Sequence, residues 1–112
     1  MSDRHVPKRS ADMWYRDLCA SVELLSEPAD VQLAKMRQWQ CDSREMKQRF
    51  QLEWEEFKKL RIRPVPLRVA ERLDWLARLV ADLPPESDPN REEWNEIRAT
   101  AKEVLPALRT TP

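Results

Sequence analysis

The chain contains no glycine, and that absence removes a whole group of functions. Phosphate-cradling loops of the Walker and dinucleotide-binding kinds need glycine for positive φ and for close backbone approach, so neither is available. The Asn-Gly and Asp-Gly turns of tight hairpins are missing for the same reason, which argues against β-structure. Nine prolines do the punctuation instead. Histidine occurs once, at His5 near the start, so a Cys–His or Ser–His nucleophile has no base within the body of the chain. One histidine with two unclustered cysteines cannot build a structural zinc site, and a carboxylate di-iron bundle wants two Glu-x-x-His pairs. No catalytic residue, metal ligand or cofactor is expected.

Other scarcities bound the environment. There is no long apolar run and no apolar signal segment at the start, so a membrane span is not expected and a cytoplasmic location is. Cys19 and Cys41 then read as reduced, small core residues. Net charge is zero, with 20 basic residues against 20 acidic ones, so attraction to nucleic acid or an anionic membrane would have to be local. The apolar fraction is 41%, with five tryptophans, and that is enough for a folded core in a chain of this size.

What is present is helical. The expected architecture is all-α, a four-helix or possibly five-helix bundle built around one long central helix. Residues 1–9 read as a flexible polar arm, 10–109 as a single helical domain, and 110–112 as a tail. Ser10 is an N-cap for a helix over 11–25, whose stripe is Trp14, Leu18, Val22 and Leu25. After the break at Ser26-Glu27-Pro28, the stretch from Ala29 to Ile62 holds no proline. Met36, Trp39, Ser43, Met46, Phe50, Trp54 and Phe57 recur there at helical spacing. Asp42 and Glu45 have the spacing of a capping box, but the stripe keeps phase across them, which favours one continuous helix of roughly 50 Å. The tight break before it predicts that the first two helices fold back as a hairpin. Pro64 and Pro66 end the long helix. A third helix over 66–83 carries Val69, Leu73, Leu76 and Val80. A fourth starts at Asp88-Pro89 and ends or kinks at Pro106.

If the long helix is straight, these lengths leave its middle, around Met36 to Met46, short of neighbours within the chain; a bend at Asp42 would instead close a compact four- or five-helix bundle. Exposed apolar surface of that kind marks a partner interface, and homodimerisation is the expected way to cover it. Most of the tryptophans are assigned to the core. Trp39 and Trp75 fit their stripes least tightly, so Met36, Trp39, Met46 and Trp75 are the expected partner-binding residues. A basic cluster, Lys58, Lys59, Arg61, Arg63 and Arg68 with Arg72 one turn on, surrounds the turn after the long helix. It would contact phosphates or an acidic protein partner, though cations also favour a helix C-terminus for its own sake.

Two acidic runs point to a different chemistry. Glu92-Glu93-Trp94-Asn95-Glu96 is an EExxE pattern and Glu71-Arg72-Leu73-Asp74 an ExxD pattern. Together they resemble the Mg²⁺ sites of all-helical nucleoside triphosphate pyrophosphohydrolases of the MazG type. That resemblance implies magnesium held against a pyrophosphate, covers only these two short runs, and has their order reversed. Read without it, they are helix-end and surface charges.

The leading expectation is therefore a small non-enzymatic interaction protein that covers a surface on another protein. Adaptors, assembly subunits and phage inhibitors of bacterial defence complexes, such as anti-CRISPR proteins, belong to that class. The alternative is a nucleic-acid-binding protein using the basic turn, and a lesser one is the Mg²⁺-dependent pyrophosphohydrolase.

Overall fold

The computed structural model describes residues 10–61, 63–84 and 87–110; the expected arm over 1–9, His5 included, lies outside them. Five helices follow in order: α1 (Ala11–Ser26), α2 (Ala29–Trp39), α3 (Ser43–Lys59), α4 (Leu67–Asp82) and α5 (Trp94–Arg109). Among the described residues there is no strand. No helix is long and apolar enough to cross a membrane.

The long central helix does not form. It is cut between α2 and α3 by a paired stop and start. Gln40 takes the left-handed conformation at φ 53° and ψ 43°. Its N–H bonds to the Arg37 carbonyl at 3.2 Å, and the Cys41 N–H reaches back to the Met36 carbonyl at 3.0 Å. This is the Schellman closure of a helix C-terminus. Two residues on, the Asp42 side chain accepts from the Glu45 N–H at 2.9 Å while Glu45 accepts from the Asp42 N–H at 3.1 Å, completing a capping box. The apolar stripe stays in phase because both pieces still bury one face, Met36 on α2 and Ser43, Met46, Phe50, Trp54 and Phe57 on α3.

With the break in place, α1, α3, α4 and α5 close a ring. α1 packs on α5 and α3, and α4 packs on the same two. The largest fully buried side chains are Trp54, Trp94, Phe50 and Phe57, surrounded by Leu18, Leu25, Leu73, Leu76, Ile97 and Leu108. The Trp54 and Phe57 rings stack with centroids 6.1 Å apart. α2 is outside this ring and does not lie back along α1, so the expected hairpin is absent. It is held by Met36 and Leu33, which pack against the core, and by one buried polar side chain. Gln32, fully buried, donates to the carbonyls of Leu24 and Leu25 at 3.0 and 3.2 Å and accepts from Arg98 of α5 at 3.0 Å. It thereby adds a second donor to the Leu24 carbonyl, which already accepts from the Glu27 N–H at the end of α1, and supplies one to the Leu25 carbonyl.

Two boundaries also move. Asp88-Pro89 does not open the last helix: Asp88 accepts from the Asn90 N–H at 2.9 Å, an Asx-type turn, and α5 begins at Trp94. Pro106 neither ends nor splits α5, which runs on to Arg109. The carbonyl it would have bonded is that of Lys102, and both residues lie on the exposed side of the helix, where losing one N–H costs least.

Candidate interaction surface

The α3–α4 corner is shaped by what ends α3. Leu60 is still right-handed, but Arg61 is left-handed at φ 51°, with its N–H on the Lys58 carbonyl at 3.2 Å. A glycine would adopt this geometry without strain, whereas a side chain at this position is held at a cost of about 1–2 kcal/mol. Pro64 and Pro66 then keep the chain extended until α4 starts. Between the two helices lies a hollow of about 400 Å³. Its walls are mostly apolar, from Trp54, Phe57, Pro64, Val65 and Ala70, and Lys58, Arg61 and Arg63 stand around them. Leu67, in the first turn of α4, is 74% exposed.

The six cations of the sequence cluster are not one patch. Lys58 pairs with Asp74 at 2.9 Å and Glu55 at 3.4 Å and sits over the Trp54 ring at 5.1 Å. Burial alone would lower its pKa, but the hydrogen bond and charge of Asp74, with help from Glu55, raise it overall. Asp74 also accepts from the Trp54 indole N–H at 2.8 Å. Arg63 reaches across to Asp12 at 3.1 Å and covers the Tyr15 ring at 4.1 Å, tying the corner to α1. Arg72 points the other way, to Glu103 of α5 at 2.9 Å, and Arg68 lies one turn before it on the same side of α4. Lys59, Arg61 and Arg68 are exposed, and among the described residues no ion pair engages them. Arg61 is thus the uncommitted cation at the hollow.

The expected partner-binding set divides. Met36 and Met46 are core residues, 8% and 3% exposed, because the turn at Gln40 folds both onto the bundle. The argument for self-association through an underpacked middle goes with them. Trp39 and Trp75 are the two exposed tryptophans, at 47% and 39%. Trp39, carrying Lys35 at 6.0 Å from its ring centre, walls a groove of about 670 Å³ with Leu24, Met46 and Arg49. A smaller hollow of about 160 Å³ continues from it toward Asp17 and Ser21, with Glu53 in its lining. Glu53 is buried and accepts a hydrogen bond from Ser21. This groove mixes acids with Arg49 and has no single charge sign.

The acidic runs do not assemble. Glu71, Glu92, Glu93 and Glu96 are exposed, and Asp74 is engaged by Trp54 and Lys58. Among the described residues no three His, Cys, Asp or Glu side chains converge closely enough to hold a metal ion, so the MazG-type resemblance gains no geometric support. Cys19 and Cys41 are free thiols, the first buried and the second partly so. Burial pushes the pKa of both upward, away from thiolate reactivity.

Sequence reasoning found the basic turn but missed the apolar hollow inside it. Val65 and Leu67, apolar residues among prolines and cations where no helical stripe needs them, were the available signal. Compared with known protein families, with curated proteins and with solved structures, the chain matches none.

Proposed function

We propose that this chain is a non-enzymatic interaction protein that works by covering a surface on another protein. The observation that carries the reading is a set of large apolar side chains left outside a closed core. Trp39, Leu52, Leu67 and Trp75 are 47%, 60%, 74% and 39% exposed, while the bundle's own apolar faces are already buried against one another. Tryptophan is enriched where interfaces concentrate their energy, and Trp39 and Trp75 stand on different helices, so more than one face is available for contact. Adaptors, assembly subunits and inhibitors that mask a larger complex all act in this way, an anti-CRISPR protein among them.

Nucleic-acid binding is the second reading, favoured by Lys59, Arg61 and Arg68, which no ion pair engages among the described residues. It is weaker because these cations stand on different elements, Lys59 at the end of α3, Arg61 in the turn and Arg68 on α4, and the aromatic rings at the corner are buried, so bases have nothing to stack on. The test is to isolate the chain's complex from cells of its source, treat it with nuclease, and compare its affinity across Trp39→Ala, Trp75→Ala and Arg61→Glu. A protein complex that survives nuclease and weakens about tenfold or more in at least one variant is expected. A complex that dissolves with nuclease, and whose affinity falls steeply with added salt, refutes the reading in favour of nucleic acid.

A further inference from the structure

We infer that the hollow at the α3–α4 corner receives a short acidic segment of the partner protein, with one apolar or aromatic side chain as its anchor. This rests on the interaction reading above and adds the chemistry of what is bound. The hollow is large enough, at about 400 Å³, to take a phenylalanine or leucine side chain. Its walls are apolar: Pro64, Val65 and Ala70 alongside the stacked Trp54 and Phe57. Trp54 and Phe57 are already buried, so an apolar anchor removes from solvent its own surface together with that of Pro64, Val65 and Ala70 at the mouth.

The rim supplies the second half of the recognition. Lys58, Arg61 and Arg63 are the charged residues that line it, and all three are positive. Lys58 and Arg63 are held in place by Asp74, Glu55 and Asp12, so their positions are set before any partner arrives. Arg61 has no such partner among the described residues, and its left-handed backbone places it at the point where α3 stops. Lys59, two residues earlier, adds a second cation that no ion pair engages among the described residues. A carboxylate beside the anchor side chain meets Arg61 in a charge-assisted, two-pronged bond, while flanking acids feel the remaining field and speed the encounter. Because Asp74, Glu55 and Asp12 offset Lys58 and Arg63, the selecting charge is that of Arg61 with Lys59, and the arrangement fits a segment in which an acid stands beside one Phe or Leu rather than a basic segment or a base-stacking strand.

The experiment uses the full chain and four defined probes: a short Asp/Glu-rich peptide with one central phenylalanine, the same peptide with alanine at that place, a lysine-rich version, and a single-stranded oligonucleotide. Anisotropy of the labelled probe gives affinity. The Trp54 indole N–H resonance, which reports the bond to Asp74, gives the location. The phenylalanine peptide is expected to bind and shift that resonance, with the alanine peptide about tenfold weaker. The lysine peptide should not bind. Arg61→Glu is expected to weaken the phenylalanine peptide about tenfold or more. Ala70→Leu, which fills the hollow, should erase the difference between the phenylalanine and alanine peptides while leaving the helical spectrum intact. Equal binding of those two peptides to the unaltered chain, or tighter binding of the oligonucleotide, overturns the inference. So does an absence of peptide binding. If a nuclease-resistant protein complex is nevertheless isolated and ignores Arg61→Glu, the interaction reading stands and only this assignment of the corner falls.

Discussion

Gln40 offers a test in which two structural readings predict opposite signs. If the chain ran as one helix from α2 into α3, position 40 would be a helix interior, where alanine is better than glycine by about 1 kcal/mol. In the structure Gln40 is left-handed, at φ 53°, a conformation that costs a residue with a Cβ about 1–2 kcal/mol. Glycine escapes that strain but loses more freedom on folding, by roughly 0.5–1 kcal/mol. The balance makes Gln40→Gly more stable than Gln40→Ala by about 0.5–1 kcal/mol. The side chain of Gln40 is exposed, so neither substitution disturbs packing, and the closing bonds from Gln40 and Cys41 are backbone bonds that both variants keep. For a domain of this size 1 kcal/mol moves the melting midpoint by about 4 °C. The glycine variant should therefore melt a few degrees above the alanine variant when helical ellipticity is followed on heating. Alanine melting above glycine by a similar margin would refute the paired stop and start and restore the continuous helix.

Two further outcomes follow from buried or shared polar groups. Replacing Gln32 by leucine keeps the volume but takes one bond each from the Leu24 and Leu25 carbonyls and from an Arg98 N–H. Leu24 keeps the Glu27 N–H and Arg98 keeps the Pro89 carbonyl, so the loss, about 1–3 kcal/mol, falls mainly on the Leu25 carbonyl; an unchanged urea midpoint would show that apolar packing alone holds α2. Asp74→Asn tests the corner through pH. Burial alone would raise the Asp74 carboxyl, but the hydrogen bonds from Lys58 and Trp54, with the charges of Lys58 and Arg78, hold it below its ordinary 3.8. A depressed carboxylate stabilises the fold above the unfolded value and stops doing so as pH falls through the folded one. The gap in urea midpoint between the native chain and the variant should accordingly be present at neutral pH and close in acid. The effect is small because Asp74 is 55% exposed, and solvent screens such pairs. A gap that persists below the folded value would mean that Asp74 acts through shape alone.

The candidate surface was legible in part. Trp39 and Trp75 stood out as the tryptophans that fitted their stripes least, and they are the two that remain exposed. The cations at 58–72 were visible as a run, but helix rotation sends Arg72 to α5 and leaves Lys58 facing α4, a division that linear spacing does not reveal. The hollow was invisible because it is made by residues from α3, from the proline turn and from α4 together. Met36 and Met46 were misplaced for one reason: an exposed middle follows only if the helix is straight.

By itself the sequence determined that the chain is helical. Its lack of glycine, its proline punctuation and its three-and-four spacing act over one or two turns, and such local effects are readable residue by residue. It also determined most of the core, since a stripe such as Leu73, Leu76 and Val80 must be buried somewhere. Only the tertiary structure decided where the chain turns at Gln40 and which helices become neighbours. A capping box at Asp42 and an unbroken stripe favour different answers locally, and the contest is settled by how much apolar surface each arrangement buries across the whole bundle. Stopping at Gln40 lets α3 lie between α1 and α4, and the burial of Phe50, Trp54 and Phe57 that results far exceeds the strain of one left-handed glutamine.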